Sequence, residues 1–179
     1  PKLRDLAQTT GAALPRGAQA LSLARAIKDQ DSGAVKRILR DDPAIMTALD
    51  SAAQAGFRTV TIAVESSGNF GIGAGHETGL AFDVSLNGRG RVYTTTSVAG
   101  GYIFNLGNDV VFSFLRADKD AIQGHAFGSV ADFDVGTGVG GNMWFTADPF
   151  DFAGFAVGVG IGGLGGGGGL TYGYTKLWN

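Results

Sequence analysis

A glycine-rich stretch near the end of the chain constrains its fold more than any other feature. Residues 155–174 read FAVGVGIGGLGGGGGLTYGY, in which glycine first alternates with apolar residues and then runs without interruption over residues 165–169. Glycine weakens a strand because it costs conformational entropy and gives no side chain to pack. A strand that keeps so many glycines is expected to bend sharply or to let another group approach its backbone closely. The alternating part predicts a strand, and the uninterrupted run predicts a flexible connection or a bulged corner.

The composition of the chain changes sharply near residue 57. Residues 1–56 contain no aromatic residue, and all 18 aromatic residues lie from Phe57 onward. Only four of the 31 glycines precede that point. A chain of 179 residues suffices for one domain, or for one domain with a small addition. We therefore predict a helical N-terminal region over residues 1–56, followed by a glycine- and aromatic-rich β-barrel over residues 57–179.

Residues 1–56 have patterns typical of short helices. Residues 18–28 place apolar side chains at helical spacing. Ser32 is predicted to cap a second helix, and Asp42 followed by Pro43 predicts the start of a third, which Gly56 would end. Because these helices are short and modestly apolar, we expect them to pack on the second region rather than to form a core of their own.

Residues 57–179 alternate apolar and polar side chains over roughly eight to ten short segments, with tight turns and no helical pattern between them. This pattern predicts a mainly β fold with a small helical region, built as a closed or nearly closed antiparallel barrel of about eight strands. Closure would remove exposed strand edges. The predicted turns include Ser66–Gly68, Asn87-Gly88 and Gly107-Asn108.

The charge and residue content exclude several function classes. With a formal net charge of −2, the chain lacks the basic surface typical of nucleic-acid binding. It has no cysteine and only two histidines, so we predict no disulfide, no metal site and no cofactor. The glycines at 160, 162 and 165 fit a dinucleotide-binding spacing, but more glycine follows where that motif requires a helix.

The location of the protein is predicted from two further observations. The longest apolar stretch is interrupted by glycine, so we do not expect an integral helical membrane protein. The chain begins at Pro1 rather than Met, from which we expect removal of an upstream segment by signal-peptide cleavage or by trimming. Signal-peptide cleavage would imply a secreted or cell-envelope protein, and trimming implies no location.

Two histidines and several carboxylates are the candidate catalytic residues. His76 is adjacent to Glu77, and His125 lies in a separate predicted strand. Asp132 and Asp134 alternate, and therefore share one face of a strand. A histidine oriented by one of these carboxylates could act as a general base. The alternative is that all of them are solvated side chains, since the chain contains no GxSxG nucleophile motif.

Aromatic side chains in the last third of the chain are candidates for binding an apolar ligand or a membrane surface. Packing in the core is the alternative for each of them. The candidates are Trp144, Phe152, Phe155, Tyr172 and Tyr174.

Residues 143–174 contain an aromatic strand (MWFTA), an acidic turn (DPFDF) and a glycine-rich closing stretch (GVGIGGLGGGGG). In this order of segments the chain resembles the virulence-associated (Vap) proteins of actinobacterial pathogens. The resemblance implies a secreted, protease-resistant antiparallel β-barrel after a variable N-terminal segment, without known enzymatic activity. The glycine-rich closing strand is also similar to SYLF-type lipid-binding domains.

These observations support three functional hypotheses. The first is a non-enzymatic, secreted or envelope-associated barrel that binds a lipid or apolar ligand or acts at a membrane surface, with the resemblance implying a role in virulence. The second is an enzyme whose site uses His76 or His125 with Glu77, Asp132 or Asp134. The third is an interaction module that docks a protein partner through residues 1–56. If side chains fill the barrel interior, an internal ligand is disfavoured and the outer surface becomes the expected binding site.

Overall fold

Four helices precede the β-barrel in the computed structural model, which describes residues 3–131, 139–146 and 151–178. The prediction of a mainly β fold with a small helical region and a closed antiparallel eight-stranded barrel is confirmed. The helices are α1 (Leu3–Ala13), α2 (Gly17–Lys28), α3 (Ser32–Arg40) and α4 (Pro43–Gln54). The strands are β1 (Thr59–Asp83), β2 (Arg91–Leu115), β3 (Gly124–Ala131), β4 (Val139–Thr146) and β5 (Phe152–Trp178), with a short 3-10 helix at Lys119–Ala121.

The helix boundaries follow from local capping chemistry. The carboxylate of Asp42 accepts hydrogen bonds from the first backbone N–H groups of α4, and Pro43 occupies its first turn, as predicted. Gly56 follows α4 with φ +89°, a conformation that suits glycine after a helix end. The predicted cap of α3 is wrong by one residue, because the side chain of Asp31, not Ser32, accepts the N–H of Ala34. The sequence patterns did not predict α1.

Three of the strands are much longer than any segment predicted from the sequence. β1 and β2 have 25 residues each and β5 has 27. A straight strand of 25 residues would extend about 80 Å at about 3.3 Å per residue. Instead, the backbone N–H of Val84 donates to the carbonyl of Arg58 at 2.8 Å, so the residues that flank β1 meet. β1, β2 and β5 therefore fold back, and their two halves together with β3 and β4 give the eight barrel strands.

The reversal of β5 follows from its pairing. β4 pairs antiparallel with residues 152–159 of β5, and β3 pairs antiparallel with residues 168–175. Because β3 and β4 are also antiparallel to each other, the two halves of β5 run in opposite directions. The direction changes between those halves, within the glycine-rich stretch, which stays paired with β2 on both sides of a register shift at Ile161. Residues 165–169 are thus a paired strand at a corner and not a flexible connection.

β1 and β2 bend at glycine as well. The register between them shifts after Phe70, where Gly71 has φ +79°, and Gly101 of β2 has φ +145°. Such positive φ values suit glycine and mark the bulge. The predicted turns at Ser66–Gly68 and Gly107-Asn108 are wrong, because both segments continue the β1–β2 ladder.

The predicted turn at Asn87-Gly88 lies in the connection between β1 and β2. This loop is longer than a two-residue hairpin turn, because the ladder between the strands closes at Ala81 and Arg91. Gly88 has φ +71°, and the buried Leu86 has φ +57°. Helix α3 holds the loop, since Lys36 donates to the carbonyl of Gly88 at 2.6 Å and Arg40 donates to that of Leu86 at 3.0 Å.

The helices cover one side of the barrel from the outside. Leu23, Ile27, Leu39 and Leu49 on the helices share one hydrophobic core with outward-facing residues at both ends of β1, in the second half of β2 and in the first half of β5. Burying an aliphatic or aromatic side chain contributes about 1.5–3 kcal/mol. The barrel residues of this shared core include Val60, Ile62, Phe112, Phe114, Phe155 and Val157.

Among the residues that the structure describes, no helix has the length and apolar character needed to cross a membrane.

Candidate functional site

Aromatic rings lie over glycines on the inner face of the barrel. A Cβ added to Gly79 would lie 2.8 Å from Cε1 of Tyr93 and 2.6 Å from the carbonyl oxygen of Ile62. A Cβ added to Gly128 would lie 2.9 Å from Cε3 of Trp144. These separations are below normal van der Waals contact, so only glycine fits there. At these two positions, neighbouring side chains occupy the space on the inner side of the wall.

The only two glutamates of the chain both belong to this inner face. The Tyr93 hydroxyl donates a hydrogen bond to Oε1 of Glu77. Oε1 of Glu65 lies 3.3 Å from the Cβ position of Gly75 on the other half of β1. The interior is therefore polar at these positions, and the Ser97 hydroxyl oxygen also lies 2.8 Å from the Cβ position of Gly75.

Burial is the main cause of the pKa shifts of Glu65, Glu77 and Tyr93 on the inner face. Burial, followed by the charges of Glu77 and Asp109, raises the pKa of Glu65 from 4.5 to about 8. Burial also raises the pKa of Glu77, and its hydrogen bond from Tyr93 opposes that increase. Burial first, and then Glu77, raises the pKa of Tyr93 well above its ordinary value. Glu65 is thus a neutral carboxyl group at neutral pH.

The structure does not bring His76 and Glu77 together. Successive side chains of a strand point to opposite faces, so His76 is exposed outside the barrel while Glu77 lies inside. The ring nitrogens of His76 contact the Thr78 hydroxyl at 3.4 Å and the Thr96 hydroxyl at 3.5 Å. A catalytic pair of these two residues therefore has no geometric basis.

His125 lies on the outer face of β3. Its Nδ1 is hydrogen-bonded to the Tyr172 hydroxyl, and its ring centroid lies 4.7 Å from that of Tyr174. Asp132 and Asp134, the other carboxylates proposed from the sequence, lie outside the described residues. Among the described residues, no group of three carboxylate or imidazole side chains could hold a metal ion.

The candidate ligand-binding aromatics separate into three environments. Phe155 is buried in the core, where it stacks on Phe114 with ring centroids 5.1 Å apart, so it is not available to an external ligand. Phe152 is partly buried at the edge of the same core and packs edge-on against Phe57 at 6.3 Å. Trp144 lies over Gly128 on the inner face. Tyr172 and Tyr174 are exposed outside the barrel, on the side that the helices do not cover.

That side of the barrel, named here the uncovered face, is the outward surface of four strand segments: residues 70–78 of β1, 94–100 of β2, 125–129 of β3 and 170–178 of β5. Ile72 is 84% exposed, Leu170 is 73% exposed and Val98 is 55% exposed. Scattered apolar residues are normal on protein surfaces, but a contiguous group marks an interaction site. The large exposed apolar side chains here are Phe70, Ile72, Val98, Phe127, Leu170, Tyr172, Tyr174 and Trp178.

The strand register arranges the uncovered face in rows of graded polarity. Nearest the strand bends, Ile72 pairs with Gly100, Gly100 with Leu170, and Leu170 with Ser129 of β3. The next row along the strands is also apolar, with a tyrosine at its centre, and the third row contains both histidines. The fourth is polar and includes Lys176, and beyond it Trp178 pairs with Val92. The second row is Ala74, Val98, Tyr172 and Phe127; the third is His76, Thr96, Tyr174 and His125; the fourth is Thr78, Thr94 and Lys176.

The charge of the uncovered face differs from that of the whole chain. Its described outward positions include no carboxylate, although the chain carries 16 acidic residues. Its ionisable cationic groups are Lys176, His76 and His125. The ammonium group of Lys176 lies 4.0 Å from the ring centroid of Trp178, a cation–π contact.

No family model, curated protein or solved structure matches this chain. The resemblance to the Vap proteins therefore stays a prediction from the sequence. The site rests on the geometry of the chain itself.

Sequence reasoning missed most of the uncovered face. Ile72, Val98 and Leu170 were not among the candidates, and Glu65 and Tyr93 were not recognised as an interior group. Strand alternation carries a signal for both sets, since even-numbered residues of β1 and the second half of β5 point outward and odd-numbered ones point inward. The missing information was which outward surface the helices would cover.

Proposed function

We propose that this protein binds the surface of a lipid bilayer through the uncovered face, without carrying out a chemical reaction. The observation that carries this proposal is the contiguous set of exposed apolar and aromatic side chains in rows of graded polarity. An apolar row beside tyrosines, followed by polar and cationic side chains, matches the order of environments from acyl chains to headgroups to water.

The arrangement of the inner face favours a bilayer over a ligand enclosed in the barrel. The described interior holds the carboxyl groups of Glu65 and Glu77 and the rings of Tyr93 and Trp144. An apolar ligand there would leave these polar groups without water and would need space that the rings occupy. A bilayer that contacts the outer surface neither removes water from these carboxyl groups nor needs the space that the rings occupy.

The helices give less support to a protein-docking function. Their apolar side chains pack against the barrel in the shared core. Among the large apolar side chains of the described helices, only Leu21 is exposed. Among the described residues, the apolar surface available to a partner is therefore concentrated on the uncovered face.

The location and biological role are proposed on the resemblance to the Vap proteins alone. By that resemblance the protein acts outside the cell or at the envelope, and its bilayer binding contributes to virulence. Export can be tested separately, by asking whether the protein accumulates in culture medium or in an envelope fraction.

Vesicle flotation tests the proposed function directly. Wild-type protein should float with vesicles of phosphatidylcholine mixed with phosphatidylserine. Replacing Ile72 and Leu170 together by serine should weaken binding about 100-fold, because each buried aliphatic side chain contributes about 1.5 kcal/mol or more. The matched control is Leu21→Ser, which changes an exposed leucine on the helical side and should leave flotation unchanged.

Circular dichroism would establish that each variant keeps its fold. If wild-type protein floats neither with phosphatidylcholine vesicles nor with the mixed vesicles, the proposal is overturned. An equal loss of flotation in the Leu21→Ser variant would overturn the assignment to the uncovered face.

A further inference from the structure

The row that contains both histidines lies at a defined distance from the apolar end of the uncovered face. His76 follows Ile72 by four residues, which corresponds to about 13 Å along the strand. Amphipathic elements bury their apolar surface about 5–10 Å into the boundary between headgroups and acyl chains. If the first two rows of the uncovered face insert into the bilayer, the imidazoles of His76 and His125 lie at the level of the lipid headgroups.

In the part of the chain that the structure describes, neither imidazole has a carboxylate among its hydrogen-bonding or ring contacts. His76 contacts two threonine hydroxyls. His125 contacts the hydroxyl of Tyr172 and the ring of Tyr174. The described titratable groups that face the histidine row are Tyr172, Tyr174 and Lys176 on β5; β1, β2 and β3 present none besides the histidines themselves. Glu77, next to His76 in sequence, points into the barrel.

We propose that the uncovered face selects anionic bilayers and that acidification strengthens this binding through His76 and His125. This inference rests on the proposed function and names its lipid class and its regulation. Histidine ordinarily gains its positive charge between about pH 8 and pH 5. Protonation would therefore add two positive charges to a surface on which Lys176 supplies the permanent one.

The expected size of the effect follows from the attraction of single cations to an anionic membrane. Each lysine or arginine near such a surface strengthens binding roughly fivefold. Two protonated imidazoles should therefore strengthen binding on the order of 25-fold. The attraction is screened by salt, so high ionic strength should reduce the acid effect.

The experiment compares two kinds of vesicle at two pH values. One set is pure phosphatidylcholine and the other is phosphatidylcholine with phosphatidylserine, each at about pH 7.5 and about pH 5.5, on either side of the histidine range. Wild type should bind the anionic vesicles on the order of 25-fold more tightly at the lower pH, and the neutral vesicles equally at both. The variant with both His76→Gln and His125→Gln should lose the acid effect on anionic vesicles and keep its binding to neutral ones.

A Lys176→Gln variant provides the matched control, because it should weaken binding to anionic vesicles at both pH values and keep the acid effect. Equal binding of wild type to neutral and anionic vesicles at both pH values would overturn this inference and leave the proposed function intact. An acid effect that persists in the double glutamine variant would overturn the assignment to the histidines. Failure to bind any vesicle would overturn the proposed function itself. Both histidines are exposed, and circular dichroism would show whether each variant is folded.

Discussion

Replacing Glu65 by glutamine should change how the stability of the barrel depends on pH. Glutamine has nearly the same shape as a protonated glutamate but cannot ionise. The Glu65 carboxyl lies on the inner face, where burial raises its pKa from 4.5 to about 8. In the unfolded chain the same carboxyl would titrate near its ordinary value. Between these two values the folded protein holds a proton that the unfolded chain has released.

The sign of the effect follows from this difference in bound protons. Stability decreases with rising pH wherever the folded state binds more protons than the unfolded state. For Glu65 the contribution is complete below about pH 4.5 and is lost as the pH rises toward about 8. The interval spans about 3.5 pH units, and each unit corresponds to about 1.36 kcal/mol, so the loss is at most about 5 kcal/mol.

The assay is urea unfolding of wild type and the Glu65→Gln variant from about pH 5 to about pH 9. Tryptophan fluorescence can follow the transition, and the linear dependence on urea gives the free energy of unfolding at each pH. Wild type should lose stability across this range, and the variant should lose several kcal/mol less. Glu77 contributes in the same direction in both proteins, so the difference between them reports Glu65 together with its interaction with Glu77. The matched control is Asp50→Asn, which changes an exposed carboxylate on α4.

Parallel pH profiles for wild type and the Glu65→Gln variant would refute this reasoning. They would mean that the Glu65 carboxyl is hydrated in the folded protein and ionises as it does in the unfolded chain. A variant less stable than wild type at about pH 9 would contradict it as well, because the neutral amide removes the cost of burying a charge.

Three further changes test other parts of the structure by the same unfolding measurement. Gly79→Ala should cost about 1–3 kcal/mol, because its Cβ would lie 2.6 Å from the carbonyl oxygen of Ile62. Gly100→Ala, its control, should change stability by less than about 0.5 kcal/mol, since no atom lies within 4 Å of its Cβ position; an equal loss at both positions would contradict the steric argument. Asp42→Ala should cost about 1 kcal/mol by removing the cap of α4, and no loss would mean that water replaces the carboxylate. Tyr93→Phe should cost about 1–3 kcal/mol by leaving the buried Glu77 without its donor; an unchanged stability would show that another group satisfies the carboxyl.

The fold class and two of the helix boundaries were predictable because they depend on local chemistry. A carboxylate before a proline determines the start of α4, and glycine after α4 determines its end, wherever the helix packs. Helix α1 was not predictable in this way. It contains Thr9, Thr10 and Gly11, which disfavour helices, while burial of Leu6 in the shared core favours the structure. That burial is a tertiary effect, which the local sequence does not reveal.

The long strands could not be predicted for a related reason. Glycine between two apolar segments is typical of a turn, and the same glycine also permits a strand to bend while it stays paired. The difference depends on the neighbouring strand: β2 follows β1 around its bend, so Ser66–Gly68 stays in the ladder. Pairing with a distant segment decides between these outcomes, and local patterns contain no information about it.

The candidate site was partly predictable from strand alternation. Alternation alone separates His76 from Glu77, since neighbours in a strand face opposite sides. It also groups Tyr172 with Tyr174 on one side. It does not tell which outward surface remains uncovered, because the helices can only be positioned from the core that they share with β1, β2 and β5.

The inner and outer faces of the barrel differ in the side chains that they hold. At Gly79 and Gly128, rings from neighbouring strands occupy the space inside the wall, so a larger side chain does not fit at either position. The large apolar residues of the shared core and of the uncovered face point outward. On one side they meet the apolar faces of the helices and form a core. On the other side the same outward rows remain uncovered and change from apolar at the strand bends to cationic at Lys176. A water-exposed surface gives no physical reason for such a gradient, whereas a bilayer presents acyl chains, headgroups and water in that order.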